Sequence, residues 1–256
     1  MSSSAHLSPH LDALEWITTH LAPHLSRAAS ILEVGCGAGV MAAEVARKYA
    51  AARVVGVDRD EERVAEARSI GEDLPNLSFL PADPLALPFA SGSFALAFTR
   101  FLPGRVAAPA RVIGEMARVC APGGKVIVQD IDGHLLWHHP IDPALQADLE
   151  RAAAALAAEG LDPLIGRKLY ALAREAGLGN IDVKISPHHL HAGRIDRRGG
   201  EAWARMIEEM LPAIAAALGY PEAEALKRKL LEQLRDEATL MYSVLFTVTG
   251  TKERGN

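Results

Sequence analysis

The chain reads as an α/β fold, a single mostly parallel sheet with helices on both faces. Three observations carry that reading. Short apolar runs alternate with helically periodic stretches from Ile31 to Asp130, the pattern of buried parallel strands and their crossover helices. A turn with glycine at every second position, Gly35, Gly37 and Gly39, joins the first strand to the first crossover helix. The chain then closes on residues 239–249, a run rich in β-formers. At 256 residues, 49% hydrophobic and 23% charged, it is expected to form one globular domain over residues 1–256.

The elements follow in order. Residues 10–25 predict an amphipathic helix with Leu11, Leu14, Ile17 and Leu21 on one face, packed over the ligand mouth or the sheet edge. Ile31, Leu32 and Val34 make the first strand, and Val40, Met41, Val45 and Ala46 open the first crossover helix. Residues 53–58 form a second strand ending in an acid, residues 61–70 a helix, 77–81 a third strand, 94–99 a fourth, 108–119 a helix and 125–130 a fifth strand. Past Asp130 come helices over 143–159 and 163–176, a sixth strand over 181–185, helices over 201–217 and 222–237, and the closing strand. Seven strands result, the last two expected antiparallel. The expected core is about 28–186 plus 239–250, with the 10–25 helix and a helical lid at 187–238 as elaborations.

The glycine turn binds a nucleotide-like ligand, because three missing side chains bring bare backbone and a helix start to one crevice. Dinucleotide loops space their glycines G-x-G-x-x-G; here the third comes one position early and Val40 stands in its place. Glu33 at the strand end would repel a pyrophosphate and suits a ligand carrying an ammonium. The segment Glu33-Val-Gly-Cys-Gly-Ala-Gly resembles the first motif of class I S-adenosylmethionine (SAM) dependent methyltransferases, an E/D-x-G-x-G-x-G pattern. That resemblance implies a Rossmann-like sheet and SAM as cofactor. It is close over roughly 28–132 and loose over 163–185 and 239–250.

Further residues extend the expected cofactor site of Glu33, Gly35, Cys36, Gly37 and Gly39. Asp58 ends the second strand 23 positions after Gly35, where α/β nucleotide folds place an acid on ribose hydroxyls; helix capping is the alternative, and Arg59 flanks the adenine or faces water. Asp83 lies in Asp-Pro-Leu-Ala-Leu-Pro-Phe, which resembles the family's D-x-x-x-L-P-F stretch and implies Asp83 and Pro84 at the adenine; an Asp-Pro turn is the alternative. The chain departs from the family at Phe94-Ala95, where relatives carry Phe-Asp. Arg100 follows the fourth strand at the ligand edge, suited to a cofactor carboxylate or an acidic substrate, or else a surface cation.

Methyl transfer from a sulfonium needs no acid for its leaving group, so a base is optional. Histidines gather after the fifth strand (His134, His138, His139) and after the sixth (His188, His189, His191). His134, His188 and His189 are the candidates for a base to a hydroxyl acceptor. No metal is expected: a site would need these histidines to converge with Asp132, and their spacing matches no zinc pattern. Tyr170, Trp137 and Trp203 shape an acceptor pocket or pack the lid.

The net charge of −5 argues against a nucleic-acid footprint, and the basic groups Arg194, Arg197, Arg198 and Lys227, Arg228, Lys229 are flanked by acids. No apolar run suits a membrane span, and the first residues lack the basic start and apolar core of a secretory signal, so a cytoplasmic location is expected. Two cysteines, Cys36 and Cys120, make no disulfide framework. The sequence therefore predicts a SAM-dependent methyltransferase acting on a small-molecule acceptor at oxygen, nitrogen or carbon, with a homodimer as one assembly. An NAD(P)-dependent oxidoreductase, a nucleic-acid or protein methyltransferase and a non-catalytic SAM-binding module are the alternatives.

Overall fold

Seven strands form one sheet in the order β3-β2-β1-β4-β5-β7-β6 in the computed structural model, which describes residues 9–25 and 29–253. Strands β1 (Ser30–Val34), β2 (Arg53–Asp58), β3 (Leu77–Pro81), β4 (Phe94–Arg100) and β5 (Cys120–His139) run parallel. Strand β7 (Leu240–Lys252) pairs antiparallel with both β5 and β6 (Leu178–Ala192). The order reverses between β1 and β4, where an open α/β sheet splays its crossovers and leaves a crevice at the strand ends.

Helices α2 (Val40–Lys48) and α3 (Glu61–Ile70) cover one face, and α4 (Pro109–Val119) and α6 (Leu169–Glu175) the other. The alternation of side chains along each strand feeds both cores. Ile31 and Phe98 pack on the α2 side, while Leu32, Val34 and Ala97 pack under α4. Asp60, not Asp58, caps α3, accepting from Glu62 N and Arg63 N at 3.0 and 3.3 Å. Asp58 is thereby released from the capping role that the sequence left open.

The N-terminal segment divides into α1 (Pro9–Trp16), a wide turn (Ile17–Leu21) and a tight one (Ala22–His24). Its buried face is Ala13, Trp16, Ile17 and Leu21, and Leu14 is exposed. The expected stripe through Leu14 is corrected here, because the Trp16 ring packs on Phe98 with centroids 5.3 Å apart. The large ring takes the core, and Leu14 is turned out. Of the expected stripe, the Leu11 side chain lies outside the described residues.

Strands β5 and β6 outrun their predicted ends at Asp130 and Ile185. Both continue beyond the parallel sheet because the start of β7 pairs with each: His138 and His139 face Met241 and Leu240, and His191 and Ala192 face the same two residues from the other side. The histidine-bearing segments after Asp130 and Ile185 are therefore strands of an antiparallel extension. Beside it, α5 (Pro143–Ala158), α7 (Arg197–Leu218) and α8 (Tyr220–Gln233) pack with Leu136 into a third apolar core, the lid. The segment expected as a helix over 163–176 splits into a tight turn (Gly166–Lys168) and α6.

Candidate active site

The glycine turn is held by the strand beside it. Gly35 N–H and Cys36 N–H both donate to Val57 O, at 2.8 and 2.9 Å, and Gly39 N–H donates to Cys36 O at 2.8 Å. All three glycines have positive φ, a conformation that costs side-chain-bearing residues energy. They differ in what surrounds them. A Cβ on Gly39 would meet Ala67 and the Phe79 ring at 2.7 Å, whereas a Cβ on Gly37 would meet nothing within 4 Å. Gly39 is bare so that helix, turn and strand can pack, and Gly37 is bare toward open space.

Asp58 closes the turn. Its Oδ2 accepts from Gly37 N–H at 2.8 Å and its Oδ1 from Asp60 N–H at 3.1 Å. Asp58 O accepts from Ala82 N–H at 2.8 Å, which brings the Asp83 turn alongside. There Asp83 is exposed, with Oδ1 accepting from Leu85 N–H at 2.9 Å, and Pro84 is buried. The Asp-Pro turn is thus present. Arg59 is exposed next to Asp58.

Glu33 is the most informative residue. It is paired in register with Phe98, on the same side of the sheet, and only 4% exposed, with Oε2 lacking any hydrogen-bond partner. Burial pushes its carboxyl up to about 8; the Ala42 N–H and the Arg100 charge pull the other way. A buried acceptor left open beside a bare turn suits a ligand that brings a donor there. Cys36 in the same turn is buried and its thiol is pushed up by that burial, so it serves as a small residue and not as a nucleophile.

Arg100 is held on three sides. Its Nε donates to Gln129 Oε1 at 2.8 Å, and its guanidinium lies over the rings of Trp16 and Phe101 at 5.2 and 5.1 Å. Gln129 Nε2 in turn donates to the buried Thr247 Oγ1 at 2.7 Å. Phe101 sits at φ 57, a left-handed conformation rarely taken by a bulky residue and typical of site edges. Its ring faces that of His188, centroids 6.1 Å apart. Of the three candidate bases, His188 is therefore at the carboxyl edge of β4. The backbones of His134 and His189 lie in the β5 and β6 extensions, and their side chains are outside the described residues.

The sequence reading missed Thr99, Gln129, Thr247 and Asp130. Thr99 Oγ1 donates to Val34 O at 2.6 Å and so ties the end of β4 to the strand leading into the glycine turn. Asp130 is buried, accepts from Gly104 N–H at 2.8 Å, and is pushed by burial up to about 6. The one available signal was a run of polar residues ending apolar strands, at Thr99-Arg100 and Gln129-Asp130. Asp132, considered with the histidines as a ligand set, is instead committed to Arg167, accepting from Nε and Nη2 at 3.0 and 2.7 Å and from the backbone N–H at 2.7 Å. Arg167 also lies over Trp137, which packs on Tyr242. Tyr170 is 47% exposed. Arg194, Arg197, Lys227 and Lys229 each pair with an acid.

A model of the methyltransferase domain matches residues 31–124, the glycine turn through β4 and α4 to the turn before the parallel part of β5. Residues 31–124 therefore carry a methyltransferase domain. Methyltransferase GfsG of Streptomyces halstedii is 37% identical over 49% of this chain and 46% of its own length. Phosphatidylethanolamine N-methyltransferase of Cereibacter sphaeroides is 32% identical over 50% of this chain and 60% of its own. The chain thus spans about half the length of the curated relatives it matches. Among solved structures, phosphoethanolamine N-methyltransferase 2 of Haemonchus contortus, bound to phosphomonomethylethanolamine and S-adenosylhomocysteine, superposes with a TM-score of 0.60 at 17% identity, over 95% of this chain and 53% of that one. That likeness is one of fold, and it covers the lid as well as the matched stretch. No helix among the described residues is long and apolar enough to cross a membrane.

Proposed function

We propose that this chain transfers the methyl group of SAM to a small-molecule acceptor. The observation that carries the reading is the unpartnered Oε2 of Glu33, buried on the strand that leads into the glycine turn, where the Cβ direction of Gly37 is open. SAM ends in an amino acid whose ammonium satisfies such an acceptor. A nicotinamide dinucleotide would bring a pyrophosphate instead, which has only acceptor oxygens and offers Oε2 no donor. In this reading Glu33 takes the ammonium, the bare backbone at Gly35, Cys36, Gly37 and Gly39 lies along the nucleoside, and Asp58 accepts from ribose hydroxyls with the lone pairs that Gly37 and Asp60 leave over. Asp83, Pro84 and Arg59 flank the adenine, and Arg100 faces the amino-acid end.

SAM supplies a methyl group on a sulfonium, a leaving group that needs no protonation. The residues of the chain therefore position and exclude water. Thr99 and the Gly35 and Cys36 bonds to Val57 fix the cofactor edge, and Phe101 with His188 borders the acceptor edge. His188 is the residue that accepts a proton from a hydroxyl acceptor; an amine acceptor needs none. Small-molecule acceptors are supported by the names of the matched relatives, a phosphatidylethanolamine methyltransferase among them.

The test is a pair of measurements on the full chain. SAM or S-adenosylhomocysteine is expected to raise the melting temperature and NAD to leave it unchanged, since only a ligand bound to the native state stabilises it. Release of S-adenosylhomocysteine is then followed over a panel of hydroxyl, amine and activated-carbon acceptors. A shift with NAD and none with SAM refutes the cofactor assignment. A SAM shift with no turnover over the whole panel refutes the catalytic one and leaves a SAM-binding module.

A further inference from the structure

Strand β6 ends the sheet: it pairs with β7, and its other long side is bonded to no described strand. Such an edge offers a row of backbone N–H and C=O groups to any chain that can lie beside it. The ladder to β7 shifts register between Gly179 and Asp182 and again between His188 and His191, and Asn180 takes a φ of 44. Those irregularities, with Pro187, blunt the two ends. Between them residues 182–186 pair in unbroken register with residues 245–249. Val183 is 38% and Ile185 60% exposed on one face of that stretch, and Asp182 and Lys184 are exposed on the other. Neither charge enters an ion pair with another described residue.

The order Ile181-Asp182-Val183-Lys184-Ile185 is self-complementary: apolar, acid, apolar, base, apolar. A two-fold axis perpendicular to the sheet sets two copies of a strand antiparallel, with one residue opposite its own copy. When that residue is Val183, Ile181 of each copy faces Ile185 of the other, and each Asp182 faces a Lys184. Moving the axis one residue either way sets Asp182 against Asp182 or Lys184 against Lys184. Opposite charges across a strand pair stabilise it and like charges directly opposite destabilise it. The charges that ordinarily guard an edge therefore admit one register here and reject its neighbours.

The geometry points to the β6 edge as a dimer interface whose occupant is residues 181–185 of a second copy of this chain. The two seven-stranded sheets then continue into one across the axis at Val183. Five residues from each copy make a contact smaller than the about 1,200 Å² at which stable specific interfaces begin, so a weak dimer is expected, with a Kd on the order of 100 µM. Neither cofactor nor acceptor takes part in it, so the interface stands or falls separately from the methyl-transfer reading.

The test is sedimentation of the full chain over a concentration range that brackets that Kd, up to about 1 mM. Wild type should pass from monomer to dimer. Lys184→Asp and Asp182→Lys should each weaken the association at least tenfold, because like charges then meet twice across the axis. Mixed in equal amounts, the two variants should associate with each other at least as tightly as wild type does, since every acid again faces a base. The chain carrying both substitutions should dimerise as wild type does. Should either single variant fail to fold, Val183→Lys replaces it, setting two ammoniums together on the axis and abolishing the dimer. A wild-type chain that stays monomeric to about 1 mM, a dimer that withstands both single reversals, or a mixture of the two variants that stays monomeric overturns the interface.

Discussion

Glu33→Gln separates the electrostatics of the cofactor edge from its shape. Glu33 is buried, and burial raises its carboxyl from 4.5 to about 8 in the folded chain. Below the unfolded value both states hold the proton, and the group adds no pH dependence. Between 4.5 and about 8 the unfolded chain ionises while the folded one keeps its proton, so stability falls as pH rises. Above that range both are ionised and the whole penalty is present. At about 1.36 kcal/mol per pH unit, the loss is about 3 kcal/mol by pH 7 and about 5 kcal/mol beyond pH 8. Glutamine is isosteric and does not titrate, so the variant should match wild type near pH 4.5 and melt higher above it. With about 2–4 °C per kcal/mol in a chain of this size, the gap at pH 8.5 is about 10 °C or more. The assay is thermal melting of both proteins from pH 4.5 to 9 without cofactor. Asp130, raised by burial to about 6, adds a slope of the same sign at lower pH, and the difference between the two proteins removes it. Parallel curves would refute the assignment of a protonated, unpartnered Glu33. A bound ammonium restores the ionised form, so wild type should also release about one proton on binding SAM near pH 7, and the glutamine variant none.

Gly37→Ala and Gly39→Ala should fail in different ways. The first costs about 1 kcal/mol for a side chain at positive φ and, with its methyl in open space, loses the melting shift with SAM while staying folded. The second drives a methyl into Ala67 and Phe79 and should cost about 2–4 kcal/mol in a urea melt. Asp58→Ala removes the acceptor for both Gly37 N–H and Asp60 N–H; it should weaken SAM binding at least tenfold by calorimetry, and unchanged affinity would refute the ribose role. Arg167→Met takes the ion-pair partner from Asp132, whose side chain is 1% exposed, and leaves it the bond from the residue 167 backbone N–H. Because the Arg167 side chain is 49% exposed, the expected loss is about 2–3 kcal/mol, below that for a fully buried pair, read as a lower urea midpoint.

What the sequence made legible is what local pattern and local packing agree on. Strands β1 to β4 lie where apolar runs stand between turn residues, and α2 to α4 follow their periodicity, because each is buried by its sequence neighbours. The β5 and β6 extensions were illegible for the opposite reason. Gly133, six histidines and Pro187 give weak local strand signals, and the strand that makes them regular, β7, lies about a hundred residues beyond β5. The same distinction divides the site. Glu33, the glycines and Asp58 sit in a motif with fixed spacing, whereas Thr99, Gln129 and Asp130 act through partners far along the chain. A single polar residue at the end of an apolar run does not announce which distant group it will meet.

That division has a physical consequence for how cofactor and acceptor edges communicate. In the proposed reading the parallel half carries the nucleoside site on β1 and β2, and the antiparallel half carries the lid and His188 on β6 and β7. A line of side chains joins them: Trp16 over Arg100, Arg100 to Gln129, and Gln129 to Thr247 of β7. Gln129 spends both ends of its amide on this line inside the sheet, where an unmade hydrogen bond is costly. Phe101 makes the second connection, its left-handed backbone turning the ring toward both Arg100 and His188. In the proposed reading, a ligand at Arg100 touches a residue that is in contact with β7 through Gln129 and with His188 through Phe101. The proposed acceptor and cofactor edges are thus joined by side chains as well as by the backbone sheet, with Phe101 and the buried Gln129 at the join.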